Sequence, residues 1–116
     1  MKDNVIKEKS FAFAVRVVNM YRFLTEQRKE FVLSKQALRS GTSIGANVEE
    51  AMGGQSRADF ISKLSVAYKE ARETSYWIRL LKETGYLDET EAASILNDAE
   101  ELLRIIGSIL ISSKNS

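Results

Sequence analysis

The 116-residue chain contains no cysteine, no histidine and no proline, and only six glycines. The lack of cysteine excludes a disulfide framework, a thiolate zinc site and a cysteine nucleophile. The lack of histidine removes the usual general base, the commonest metal ligand and the side chain that titrates near neutrality. A Ser-His-Asp triad is therefore impossible, as is the Glu-x-x-His di-iron constellation of many helical bundles. Without proline, and with so little glycine, there is too little turn punctuation for a β-rich fold. No run approaches the roughly 20 apolar residues of a membrane span. The opening Met1-Lys2-Asp3-Asn4 starts no signal-peptide core. The expected location is the cytoplasm, with no membrane partner.

What is present fits an all-α fold in one domain spanning residues 1–116. A chain of this length buries roughly two-thirds of its unfolded surface and needs no staple. Four helices can be read from apolar period and punctuation. Helix 1 runs from Asn4 or Ser10 to Arg28, with two adjacent seams: Phe11, Ala14, Val18, Tyr21 and Phe13, Val17, Met20, Leu24. Helix 2 runs from Val32 to Met52 on Leu33, Ala37, Ser40/Gly41, Ile44, Val48 and Ala51. Gly41 and Gly45 inside it each cost about 1 kcal/mol against alanine. Close approach of a neighbouring helix would compensate; a break near Gly41 is the alternative.

Gly53-Gly54 ends helix 2, and Ser56, with Asp59 three residues on, caps helix 3. Helix 3 spans Arg57 to Thr84 on Phe60, Leu64, Ala67, Ala71, Thr74, Ile78 and Leu81. Gly85 closes it. Asp88 opens helix 4, with Glu91 reaching back, and Ile95, Ala99, Leu102, Ile106 and Ile109 carry that helix to Ile111. Short loops make neighbours antiparallel, so the expected architecture is an up-down-up-down four-helix bundle.

Three features exceed a plain bundle. Helix 3 has a second seam, Val66, Glu70, Glu73, Trp77 and Leu80. A helix with two stripes is buried on two sides, which makes Val66, Trp77 and Leu80 a candidate homo-oligomer interface; a simply widened core is the other reading. Helix 2 has a polar ribbon, Gln36, Ser40, Ser43, Asn47 and Glu50. Counting back from the Gly53-Gly54 turn sets Arg39 level with Glu70, so Arg39 is expected to pair with Glu70 or Glu73, partly buried. Glu70 and Glu73 also have a Glu-x-x-Glu spacing able to hold Mg²⁺. No further carboxylates are expected to converge there, so an ion-pair network is favoured over a metal. No cofactor is implied.

The third feature is charge. Residues 1–45 carry nine Lys/Arg against four Asp/Glu, and residues 46–116 carry eight against twelve. Lys2, Lys9 and Arg16 recur along helix 1, and Arg22, Arg28, Lys29 and Lys35 follow. Such a face can contact phosphate backbones; an ordinary solvated surface is the plainer reading.

The run Gln36-Ala37-Leu38-Arg39-Ser40-Gly41-Thr42-Ser43-Ile44-Gly45-Ala46-Asn47-Val48-Glu49-Glu50-Ala51, together with Lys69-Glu70-Ala71-Arg72-Glu73-Thr74-Ser75-Tyr76-Trp77, resembles the bacterial bundles named after intervening sequences in 23S ribosomal RNA genes. The similarity covers nearly the whole chain. It implies an up-down bundle and assembly as a ring-like pentamer. It also implies kinship with accessory proteins of diversity-generating retroelements, which contact a reverse transcriptase and nucleic acid through basic surfaces. The matching positions are Arg39, Ser40, Ser43, Ile44, Asn47, Glu50, Glu70, Glu73 and Trp77, with structural and assembly roles implied. Ala51 departs from the glycine many members have there. The expected function is a non-enzymatic homo-oligomer that binds RNA, DNA or a nucleic-acid-processing protein through a basic face. A protein-interaction scaffold without nucleic-acid affinity is the alternative. A Mg²⁺-dependent nucleotide hydrolase using Glu70 and Glu73 is the remote one.

Overall fold

The computed structural model describes residues 2–115, with side chains from Asn4 onward. Four helices form: α1 (Lys2–Glu26), α2 (Leu33–Met52), α3 (Arg57–Glu83) and α4 (Glu89–Lys114). They pack as a rod of 46 × 20 × 19 Å. Among the described residues there is no strand. α1 ends two residues sooner than expected and α4 runs three further.

Helix direction follows from which residues meet. Lys7 of α1 reaches Glu49 of α2, whereas Val17, further along α1, faces the earlier Gly41. Glu50 of α2 meets Lys63 of α3, and Arg39 meets Glu70. Gly107 of α4 lies against Tyr68 of α3, and Glu89 lies near Lys82. Lys9 meets Glu101 and Arg16 meets Asp98. In each pair a higher number on one helix goes with a lower number on the next, so the order is up-down-up-down. Contact is most extensive between α2 and α3 and thinnest between α1 and α4.

The core is built from the expected seams of α2, α3 and α4, and from Ile6, Phe13, Val17, Met20 and Leu24 of α1. The other α1 seam is a correction: Phe11 is 66% exposed, and Val18 and Tyr21 are only half-buried. The reason is geometric. Among the described residues the α1 backbone comes close only to those of α2 and α4, so a limited arc of its surface can be covered, and the Phe13–Val17–Leu24 side takes that arc.

α2 runs unbroken through its glycines. A Cβ at Gly41 would lie 2.8 Å from both Val17 methyl carbons, and one at Gly45 would lie 3.2 Å from the Ser10 carbonyl oxygen. The missing side chains let α1 and α2 approach closely, the compensation expected for glycines inside a helix. The helix ends follow from local chemistry. The Ser56 hydroxyl accepts from the Asp59 N–H at 3.1 Å, and the Asp88 carboxylate accepts from the Glu91 N–H at 2.7 Å. Gly85, at φ 84°, ends α3, with Tyr86 N–H donating to Leu81 C=O and Gly85 N–H to Lys82 C=O. This is the paired closure a left-handed residue permits.

Candidate functional site

The polar site lies between α2 and α3. Their antiparallel register brings Arg39 across from Glu70 and Glu73, one turn apart on α3. Arg39 Nη1 donates to Glu70 Oε2 at 3.2 Å, Nη2 donates to Glu73 Oε2, and Nε donates to Gln36 Oε1 at 3.3 Å. The Trp77 indole N–H donates to the same Glu73 oxygen at 3.0 Å. Glu70 is 7% exposed, so it depends on this partner far more than a surface carboxylate would. Beneath it, Thr74 Oγ1 donates to Ser40 Oγ at 2.8 Å, in the buried layer. The guanidinium therefore spans the two carboxylates at the point where a cation would sit. Among the described residues no cluster of three or more Asp or Glu could hold a metal.

The rest of the α2 ribbon does not join this cluster. Asn47 Nδ2 donates back to Ser43, to its carbonyl at 2.9 Å and its hydroxyl at 3.1 Å, and Glu50 pairs with Lys63 at 3.0 Å. Lys63 is accordingly held above the ordinary lysine range by the hydrogen bond and charge of Glu50. Of the second α3 seam, Trp77 packs against the core and stacks edge-on with Tyr76 at 5.1 Å. Leu80 is half-buried and Val66 exposed.

The expected basic face divides in two. Lys9 pairs with Glu101 at 3.3 Å. Arg16 donates to Asp98 at 2.8 Å and to Ser94 at 2.7 Å, and lies 3.6 Å from Glu91. Glu91 thus turns to Arg16 and not back to its own helix start. Arg28 donates to the carbonyls of Tyr86 and Gly85, each at 3.3 Å. Like that of Arg28, the side chains of Arg22, Lys29 and Lys35 are exposed, and none of these four makes an ion pair among the described residues. The Lys2 side chain lies outside those residues.

One polar feature was missed in the sequence. Glu30, 8% exposed, accepts from the N–H groups of Val32, Leu33 and Ser34 at 3.1, 2.9 and 2.6 Å. It caps α2 from three residues outside the helix. Burial pushes its carboxyl up, but the Leu33, Ser34 and Val32 N–H groups and the Ser34 side chain outweigh burial and hold it below the usual glutamate value. The available signal was an acidic residue just before the helix with serine four positions on.

Antiparallel four-helix packing, with ion pairs bridging neighbouring helices, defines a small helical-bundle protein. No helix among the described residues is long and apolar enough to cross a membrane. The profile of the 23S rRNA-intervening sequence protein family matches residues 2–108, and the chain belongs to that family. It is also similar to a crystal structure from Bacteroides thetaiotaomicron VPI-5482, described as a protein of unknown function from the S23 ribosomal protein family. The two share 58% identity over 95% of this chain and 98% of that one, with a TM-score of 0.94. Among functionally curated proteins none matches the chain.

Proposed function

We propose that the protein is a non-enzymatic, self-associating bundle that binds RNA or DNA by contacts to phosphate. The observation that carries this reading is the uncompensated group Arg22, Lys29 and Lys35. They sit around the α1–α2 turn, exposed, while Lys9 and Arg16 are neutralised by α4 carboxylates. Cations without a protein counter-charge are the ones free to displace the counterions of a nucleic-acid backbone. Assembly multiplies such a patch, and a five-membered ring is the size the family resemblance implies. A nucleic-acid-processing protein would be recruited on the same surface. Arg39 holds both Glu70 and Glu73, which weighs against catalysis by these carboxylates.

The test is fluorescence anisotropy of labelled RNA and DNA across a salt series. Binding should weaken steeply with salt. Charge reversal at Arg22, Lys29 and Lys35 should abolish it, whereas reversal at Lys9 should have the smaller effect. No binding at low salt would sink the reading and leave the second one, a protein-interaction scaffold. That alternative draws support from the apolar pair Phe11 and Val15, exposed one turn apart on α1.

A further inference from the structure

A cavity of 450 Å³ lies between α1 and α4, beside the α3–α4 turn. Its size falls within the range of small-ligand sites, and it sits on the seam where helix contact is thinnest. The floor is apolar: Met20, Leu87 and Ile95 line it and are themselves buried. Phe23, 43% exposed, forms a wall.

The two arginines of the lining differ in state. Arg16 is compensated by Asp98 at 2.8 Å, with Glu91 at 3.6 Å. Arg28 gives hydrogen bonds only to neutral groups, the carbonyls of Tyr86 and Gly85, and stands 5.9 Å over the Phe23 ring. Among the described residues it has no carboxylate within ion-pair distance. A guanidinium carries five N–H donors, so donors and a full positive charge remain at one rim of the cavity. Also in the lining, Asp88 is committed to the α4 cap and Glu91 to Arg16. These two carboxylates make the site hostile to a dianion such as a phosphate monoester, since like charges brought together are disfavoured.

We propose that this cavity binds a small amphipathic monoanion. An aromatic ring or short hydrocarbon body lies against Met20, Phe23, Leu87 and Ile95. A single carboxylate or sulfonate sits on Arg28, where a charge-assisted hydrogen bond supplies orientation. A neutral apolar ligand would leave the Arg28 charge unmatched. The proposal does not rest on the nucleic-acid reading above, although Arg28 adjoins Lys29.

The probe is 8-anilinonaphthalene-1-sulfonate, an aromatic monoanion, titrated into the full chain and followed by fluorescence. Saturable binding at one site per chain is expected. Arg28→Met should weaken it about tenfold or more, the loss of one hydrogen bond to a charged group, while Arg22→Met should leave it unchanged. Ile95→Trp should fill the cavity and abolish binding, with circular dichroism melts checking that each variant stays folded. Naphthalene-1-sulfonate should displace the dye and the neutral naphthalene-1-methanol should not. Should Ile95→Trp fail to fold, Arg28→Met and the displacement pair still decide the matter. Absence of saturable binding, equal affinity in Arg28→Met, or equal displacement by the neutral compound would overturn the proposal. So would dye binding lost on Phe11→Ser with Val15→Ser, because that would place the dye on the exposed α1 stripe.

Discussion

Glu30 and Ser34 cap one another: the Ser34 N–H donates to Glu30 Oε1 at 2.6 Å, and the Ser34 hydroxyl donates to the Glu30 carbonyl at 2.8 Å. The N–H groups of Val32, just before α2, and of Leu33 donate to the same carboxylate, which also lies at the positive end of the α2 dipole. Glu30→Gln should therefore destabilise the protein by about 1–2 kcal/mol at neutral pH, as loss of a strong cap does. Because the folded carboxyl is held below its usual value, its stabilisation is complete above the unfolded glutamate value of about 4.3. It is lost as pH falls through the lower folded value. The difference between wild type and Glu30→Gln in urea unfolding should shrink on acidification; a difference that stayed constant down to pH 3 would refute the ionised cap.

Arg39 supplies the charge that Glu70 lacks from solvent. Arg39→Met should cost about 1–3 kcal/mol, below the loss for a fully buried pair because the Arg39 side chain is half in water. Adding Glu70→Gln should recover much of that loss, since the stranded buried charge is then gone. Trp77 emission should shift in Arg39→Met, because the indole shares Glu73 with the guanidinium. Additive effects of the two substitutions would show that Arg39 and Glu70 do not depend on one another.

The α1–α2 approach at Gly41 can be probed by filling it. Gly41→Ala gains about 1 kcal/mol of helix propensity, but its methyl meets the two rigid Val17 branches at 2.8 Å. Overpacking of this kind costs typically about 1–3 kcal/mol, so thermal unfolding should show net destabilisation. In a Val17→Ala background the same substitution should become neutral or stabilising. A stabilising Gly41→Ala in wild type would mean that the helices simply part to admit a methyl.

The exposed apolar pair on α1 bears on assembly. Phe11→Ser with Val15→Ser should lower the mass seen by light scattering if copies meet there. Trp77→Ala with Leu80→Ala should lower it if they meet on α3. An unchanged wild-type mass in both variants would exclude both surfaces.

The bundle was legible because its signals are local. Apolar spacing in α2, α3 and α4, serine and aspartate caps, and Gly85 each act within a few residues. Arg39 facing Glu70 was also accessible, because the Gly53-Gly54 turn is short enough for register to be counted across it. What escaped was what depends on the whole ring of helices. Phe11 looked like core because periodicity alone cannot say how wide an arc a helix will bury. Arg16 and Lys9 looked like a free basic face because Asp98 and Glu101 lie over 80 positions away, and their arrival depends on how α4 closes against α1. Glu30 escaped because a cap is usually sought at the residue adjoining the helix, and here the carboxylate reaches in from outside it.

That closure also makes the bundle unevenly fastened. The other boundaries also carry ion pairs, such as Arg39–Glu70, Lys63–Glu50 and Lys7–Glu49, but have wider helix contact behind them. The α1–α4 boundary has the thinnest helix contact and is bridged at its surface by Arg16–Asp98 and Lys9–Glu101, whose attraction fades with the Debye length. Salt therefore loosens this edge of the molecule before the others. Raising it should quicken amide exchange along the facing halves of α1 and α4, through local opening, while the slowest amides of α2 and α3 keep the pace set by global unfolding.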